Sequence, residues 1–343
     1  MRRLSIIIPN YNYRNYIAEA ISSALAVDWP DVEVIVVDDG STDDSVAVVE
    51  QFSDGVTLMK QPHSGPRVAC NVGYARSTGD VVVFLDSDDV LDPGIARAIS
   101  AVWRAGVSKV QVQMRRIDKN GDEAGPVFPR FDGAPEPRKI RYWMERTSAY
   151  PTPPGSGNAY SRVFLAQLFP LDDRCGDATD SACLAAAPFL GDVVTIPEPL
   201  VSYRVHGENR SNLVVDPNRF TRQIERAYQR QLFAHDVSGT TRRSPLAPLF
   251  RGRHLLQMRV AERRMVGGVP PIPSDSRRRM VWNSFTTVAA PGPELLVHRV
   301  LIAGWCLVVL AAPAPVARKL IDLRFNGRFP LAARRRPPRR VAN

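Results

Sequence analysis

Residues 79–93 read GDVVVFLDSDDVLDP. Val81–Leu85 is an unbroken apolar run, as expected of a strand buried on both faces, and it delivers Asp86, Ser87, Asp88 and Asp89 at its end. Toward the N-terminus two segments have the same construction. Leu4–Pro9 carries three isoleucines and runs into Pro9-Asn10-Tyr11-Asn12, and Asp31–Val37 (DVEVIVV) runs into Asp38-Asp39-Gly40. Between them, Ile17, Ile21 and Leu25 recur at helical spacing over Tyr16–Ala26. Ser41 or Thr42 is expected to cap a helix after Gly40, with Asp43 and Asp44 in its first turn, where the helix dipole favours negative charge. A further strand is expected over Val56–Gln61, and a helix over Arg67–Thr78 stopped by Gly79. Strands alternating with helices predict an α/β protein with a Rossmann-like, mostly parallel sheet and helices on both faces. Ligands bind such sheets at the carboxyl ends of the strands, so the three polar strand ends are expected to share one crevice.

Three carboxylates within the four residues 86–89 raise one another's pKa unless a cation sits among them. Acidic residues at a strand end can direct oxygen ligands at one hard divalent ion, Mg²⁺ or Mn²⁺, which typically keeps waters and bridges to substrate phosphates. A diphosphate leaving group needs that counter-charge as its bond to carbon breaks. An isolated acidic loop is more often a solvated helix cap; here the apolar strand before it and the two polar strand ends beside it favour function. An aromatic ring beside a carboxylate, as in Tyr11 and Asp39, suits a nucleobase: the ring stacks and the carboxylate accepts from an imide N–H. Half-buried packing for Tyr11 and a turn role for Asp39 are the competing explanations.

SIIIPNYN (5–12), VIVVDDGSTDDS (34–45) and GDVVVFLDSDDVLDP (79–93) together resemble the signatures of family 2 glycosyltransferases, and the resemblance continues to about residue 212 through SGNAYSRVFL (156–165) and IPEPLVSYRVHGENRS (196–211). It implies a GT-A-type fold and an inverting transfer of a sugar from a nucleotide-sugar donor, UDP-sugar favoured, to an acceptor hydroxyl. Pro9, Tyr11 and Asp39 match positions lining the nucleobase pocket. Asp86 and Asp88 match the acidic pair around the metal, ribose and diphosphate, with Ser87 between them and Asp89 adjacent. Asn71 and Gly73 match the polar helix before the fourth strand; where such families often carry Arg, this chain has Cys70, which leaves Arg67, one turn earlier, as the cationic donor contact.

An inverting transfer needs a general base for the acceptor hydroxyl. Asp180 and Asp177 are the candidates, and Asp180, eleven residues before Gly191, fits the family spacing better. Each could instead cap the helix that follows. Arg204 and His206, in YRVHG, match a neighbourhood that closes over the diphosphate, making Arg204 a donor contact and His206 a metal ligand or phosphate contact. A sugar nucleotidyltransferase fits less well, since PNYNYRNY lacks the glycines of a triphosphate loop. A non-catalytic nucleotide-sugar-binding protein is the other alternative.

The rest of the chain is less patterned. Gly125–Pro154, rich in proline and glycine, reads as irregular loops; Phe164–Leu168 and Asp180–Leu190 read as helices, and Thr195–Val205 as extended. Phe220, Ile224, Tyr228 and Leu232 start a long helix, so the chain divides into a catalytic domain over 1–212 and a helical, basic region over 213–343, with 330–343 expected to be a disordered tail. Of the net charge of +10, residues 1–250 contribute −4 and residues 251–343 contribute +14. Val300–Ala317 has no charged residue over 18 positions but contains Pro313 and Pro315. It reads as a membrane-surface hairpin, a core or interface helix, or a transmembrane helix, in that order. The first fits an anionic membrane surface and a lipid-linked glycan acceptor. The tail ARRRPPRR (333–340) lacks the interleaved aromatics of a nucleic-acid module. Cys70, Cys175, Cys183 and Cys306 form no CxxC pair, and the first apolar run is too short for a signal peptide. The expectation is a cytoplasmic protein, peripheral at the inner face of the membrane.

Overall fold

The computed structural model describes residues 3–131, 133–175, 179–206, 218–239 and 246–325. An eight-stranded sheet runs through the first 204 residues: β1 (Leu4–Asn10), β2 (Val32–Asp38), β3 (Val56–Lys60), β4 (Val81–Phe84), β5 (Val90–Leu91), β6 (Val107–Ile117), β7 (Asn158–Ser161) and β8 (Asp192–Arg204). Its order is β3-β2-β1-β4-β7-β6-β8-β5. β3, β2, β1 and β4 are mutually parallel, whereas β7 is antiparallel to both β4 and β6, β6 is parallel to β8, and β5 is antiparallel to β8. β1 is therefore flanked by β2 and β4, and its register sets Asn10 opposite Asp38. All three polar strand ends emerge side by side.

The alternation of side chains along a strand divides the core. Ile6 and Ile8 pack with Val34, Val36 and Val83 against α1 (Ile17–Leu25) and α4 (Ile95–Val102). Ile7, between them, faces the other way with Val82 and Phe84, toward α3 (Pro66–Arg76), α6 (Arg162–Leu165) and α7 (Thr179–Leu190). The four cysteines are buried free thiols.

Three expectations change. α2 spans Ser45–Glu50 and starts after Asp44, with no side-chain cap; Ser41 instead accepts from Asn12 N–H and donates to Asp38. Gly125–Pro154 is not wholly irregular, because α5 (Pro137–Thr147) begins with proline in its first turn and buries Ile140, Trp143, Met144 and Thr147. That spacing of three, one and three residues is a helical stripe, hidden in the sequence by the prolines around it. Val300–Ala317 is not one segment: α11 (Leu296–Ala311) ends where Ala312 turns extended before Pro313, and α12 (Ala314–Phe325) follows. Among the described residues no helix is long and apolar enough to cross a membrane, which removes the transmembrane reading there.

α8 (Arg219–Val237), α9 (Arg253–Met265), α10 (Arg277–Ala289), α11 and α12 share a separate apolar cluster around Ile224, Leu256, Val260, Cys306 and Ile321. α8 belongs to both halves, since Phe233 joins the sheet-side core and Ala234 packs with Met144 and Ala185. The expected boundary at 212, and the tail 330–343, lie outside the described residues.

Gly73 brings α3 against β1: a Cβ there would sit 2.3 Å from Ile7 Cγ2 and 3.3 Å from Val37 Cγ2. Ile7 is fully buried and branched, so it has little room to yield. Gly73→Ala should therefore destabilise the protein by about 2 kcal/mol through overpacking, despite alanine's higher helix propensity. Urea unfolding checks the sign; a gain in stability would mean that α3 is not held this close.

Candidate active site at the carboxyl edge of the sheet

The strand ends are locked to each other by short polar contacts. Asn10 Nδ2 donates to Asp38 Oδ1 at 2.9 Å and to Ser41 Oγ at 3.2 Å. Asn12, in the left-handed region at φ 60°, accepts from the Thr42 N–H at 2.7 Å. Asparagine tolerates that conformation better than most residues, which makes it a hinge from β1 to the 41–43 turn. The loop after β3 joins the same edge through Asp39. That carboxylate accepts from Gln61 Nε2 (2.6 Å) and from the Ser64 and Gly65 N–H groups (2.8 Å each), and it lies 3.0 Å from His63 Nδ1. His63 in turn stacks on Tyr11, ring centroids 4.0 Å apart. Direct acceptance by Asp39 from a base N–H would thus require one of these partners to give way. The aromatic surface offered at this edge is the Tyr11–His63 pair, and His63 was not singled out from the sequence.

The acidic turn after β4 sorts its carboxylates by depth. Asp86 is exposed, Asp88 is buried at 7 % exposure, and Asp89 is 0 % exposed. Four contacts hold the turn. Ser87 Oγ donates to the Pro9 carbonyl at 2.7 Å, Asp86 N–H donates to Ser156 Oγ at 3.0 Å, Arg204 N–H donates to Asp89 Oδ1 at 3.0 Å, and Arg204 Nε donates to the Asp88 carbonyl at 2.9 Å. Burial first, and then the charges of Asp86 and Asp88, push the Asp89 carboxyl well above the usual carboxylate range. Asp89 is a buried support of the turn, Asp86 is the carboxylate presented outward, and Asp88 lies beneath the surface with its Oδ2 toward His206.

His206 meets this turn, with Nε2 2.9 Å from Asp88 Oδ2 and its ring stacked on Tyr16 at 4.9 Å. Arg204 does not reach the crevice. It is 1 % exposed, and its guanidinium spans the Asp88 carbonyl, the Asp118 carbonyl (3.2 Å) and Glu19, over the face of Tyr16. In this structure Arg204 clamps the acidic turn from behind. Arg67 and Asn71 also have other partners. Arg67 donates to the Leu171 carbonyl and pairs with Asp173, and Asn71 exchanges two 2.9 Å hydrogen bonds with the Leu171 backbone. Both tie α3 to the 171–173 segment. Cys70 is core.

Asp180 is half-buried in the first turn of α7, and its charge reaches Lys109 on β6 and Arg230 on α8. Asp177 lies outside the described residues. Lys109 is fully buried and donates to Gln111 Oε1 (2.9 Å), Thr152 Oγ1 (2.8 Å) and Asn158 Oδ1 (2.9 Å). Burial pulls its pKa well down, opposed by Asp180. The amide nitrogens of Gln111 and Asn158 donate elsewhere, so both oxygens need a donor, and three acceptors match the three protons of an ammonium. This network carries the 151–157 loop, where Gly155 approaches Asp86 closely enough that a Cβ would sit 3.3 Å from Oδ2. Its sequence signal was modest: Lys109 and Gln111 are two of several polar residues in a strand that mixes polar and apolar positions.

Residues 5–169 match the model of glycosyl transferase family 2. A glycosyltransferase of Nostoc sp. is 36 % identical over 216 residues, covering 60 % of this chain and 66 % of that protein. The poly(ribitol-phosphate) β-N-acetylglucosaminyltransferase TarS of Staphylococcus aureus is 36 % identical over 98 residues, covering 27 % of this chain and 17 % of that protein. The chain thus aligns with less than two thirds of either relative's length. Among solved structures, S. aureus TarS 1–349 in complex with UDP-GlcNAc superposes with a TM-score of 0.57 at 19 % identity, over 95 % of this chain and 92 % of that one. A mannosyltransferase from Pyrobaculum calidifontis, in complex with GDP-Man and Mn²⁺, superposes with a TM-score of 0.54 at 20 % identity, over 93 % and 84 %. At these identities the superpositions establish the fold, which is that of GT-A glycosyltransferases.

The clamp has a measurable consequence. Arg204→Met would leave two backbone carbonyls and Glu19 without their partner, a loss of about 3 kcal/mol. The expected result is a lower urea midpoint, only partly restored by Arg204→Lys, whose single nitrogen cannot span the three acceptors. An unchanged midpoint in Arg204→Met would refute the clamp.

Proposed function

Residues 5–169 make this chain a member of glycosyl transferase family 2, and from that premise we propose that it is an inverting, metal-dependent enzyme that moves a sugar from a nucleotide-sugar donor to an acceptor hydroxyl. The observation that carries the reading is the acidic turn: at the shared carboxyl edge of β1, β2 and β4 Asp86 is exposed and Asp88 lies just beneath it against His206, while Asp89 and Arg204 brace the turn from behind. The Tyr11–His63 stack offers the nucleobase an aromatic face. Pro9 and Asp39 shape that pocket, Pro9 through its bond from Ser87 and Asp39 by holding the 61–65 loop. UDP-sugar is the favoured donor, in keeping with the UDP-GlcNAc complex of the TarS neighbour.

Among the described residues no three His, Cys, Asp or Glu side chains enclose a metal site. An open site nonetheless fits Mg²⁺ or Mn²⁺, which keep waters and take oxygens from substrate phosphates rather than relying on an all-protein cage. Asp86 and Asp88 would hold the ion together with substrate oxygens and water, with His206 joining if it exchanges its contact to Asp88 for the ion, and the Pyrobaculum neighbour was solved with Mn²⁺. When bound, the ion supplies positive charge to the departing diphosphate.

In the transfer, the acceptor hydroxyl attacks the anomeric carbon from the face opposite the diphosphate. Asp180 takes the hydroxyl proton as the new C–O bond forms, and the old C–O bond breaks with its electron pair leaving on the diphosphate. The catalytic domain spans 1–212 in this reading. The basic helical region over 213–343 places the enzyme peripherally at a membrane surface, beside a lipid-linked glycan acceptor.

Nucleoside diphosphate release from a donor panel, with Mg²⁺ or Mn²⁺, tests the activity. Asp88→Asn should lower turnover at least ~100-fold, because charge stabilisation of the leaving group is removed while the side chain keeps its shape. Full turnover in excess EDTA would end the metal-dependent reading. Asp180→Asn should abolish transfer while leaving donor affinity nearly unchanged, since a base acts on the acceptor. Retained transfer in that variant would move the base to another residue, Asp177 first.

A further inference from the structure

α11 is apolar on all sides: from Val300 to Ala311 it has no charged residue. One side, including Ala303, Cys306, Val309 and Leu310, is buried in the cluster shared with α9 and α12. The opposite side bears Val297, Leu301 and Val308, at positions that fall on one helical face, and Leu301 is 63 % exposed. A helix hydrophobic all round is ordinarily covered. α10 packs alongside and adds Trp282 and Phe285, 68 % and 60 % exposed. Leu295 and Leu296, at the end of the connecting loop, are exposed as well.

This surface is rigidly built. Arg299 donates from Nε to the Glu294 carbonyl (2.8 Å), from Nη1 to the Ala290 carbonyl (3.1 Å) and from Nη2 to the Gly292 carbonyl (2.9 Å), and Arg253 pairs with Glu294 from the other side. The apolar residues are thus held in solvent by a stapled loop.

Charge decides what covers them. After residue 250 the only carboxylates besides the chain end are Glu262, Asp275, Glu294 and Asp322. Glu262 is buried, with its pKa raised by that burial; Asp275 pairs with Arg259, Glu294 with Arg253, and exposed Asp322 shares α12 with Arg318, Lys319 and Arg324. The field around the apolar face is therefore positive. Arg278 lies one turn before Trp282 on the same side of α10, and Arg318 and Lys319 are exposed on α12. A second copy of the chain would bring the same sign of charge to the interface. An anionic lipid surface answers both features, taking large apolar and aromatic side chains into its interfacial layer and attracting the basic rim.

We propose that the exposed face of the α10–α11 hairpin, centred on Trp282, Phe285, Leu296 and Leu301, docks the protein on an anionic bilayer. This deepens the membrane-side part of the functional reading and is independent of the donor chemistry. It also relocates the contact: much of 300–317 is packed in the helical core, and the outward face is shared with α10.

The test uses the full chain and co-sedimentation with phosphatidylglycerol/phosphatidylcholine vesicles and with pure phosphatidylcholine vesicles, at low and high salt. The wild type should bind the anionic vesicles, lose part of that binding in high salt and bind the neutral ones weakly. The triple variant Trp282→Gln, Phe285→Gln, Leu301→Gln should weaken anionic-vesicle binding at least ~100-fold, from the loss of three large inserted apolar groups. These side chains point into solvent, so its melting temperature should match the wild type. Wild-type protein left in the supernatant at low salt would overturn the proposal, and so would a triple variant that binds like the wild type. So would a wild-type dimer in sedimentation velocity that the triple variant converts to monomer, since the face would then belong to a second copy. Donor turnover measured on the same preparations separates a failure of this surface from a failure of the glycosyltransferase reading.

Discussion

The site depends on the way Arg204 holds the acidic turn. Three carboxylates in four residues repel each other, and left to themselves they would splay the loop or retreat into solvent. Arg204 opposes this from the buried side: its backbone N–H satisfies Asp89, its Nε satisfies the Asp88 carbonyl, and its far nitrogens reach Asp118 and Glu19. With Asp89 buried and its carboxyl pushed up by that burial, Asp86 is the carboxylate of the turn left exposed at the crevice. A side chain from the end of β8 thus braces the turn in which Asp86 is exposed while Asp88 and Asp89 are buried.

The other supports of the crevice follow the same plan, in which buried polar groups fix loops that carry the exposed chemistry. Lys109 meets three acceptors beneath the 151–157 loop, and that loop brings Ser156 and Gly155 to Asp86. Asp39 gathers the 61–65 loop and so places His63 on Tyr11. Buried polar groups are costly unless fully paired. Here most of that pairing is loop to strand, and the loops gain a defined position from it.

The C-terminal helices solve a different problem. They form their own apolar cluster, yet α8 also contributes Phe233 and Ala234 to the sheet-side cores, so they are fastened to the catalytic half by packing. Having buried one side of α11, they leave the other side apolar and in solvent, rimmed by unbalanced positive charge.

The N-terminal half was legible in the sequence because its strands are apolar runs that end in chemistry. SIIIPNYN, VIVVDDGS and VVVFLDSDD announce strand, edge and function in one stretch each, and the sheet order places those ends together. Periodicity likewise identified α1 and α8. Local sequence could not rank the neighbouring aspartates, since burial of Asp89 comes from a partner 115 residues away. It could not show that Arg204 points inward, that Arg67 and Asn71 are spent on Leu171, or that His63 completes the aromatic pair with Tyr11. It also masked α5 behind flanking prolines and merged α11 with α12 into one apolar stretch. The physical reason is common to these cases. Composition and spacing report what a segment prefers within a few residues, whereas exposure, ion pairing and the choice of hydrogen-bond partner are set by which distant segments the fold brings against it.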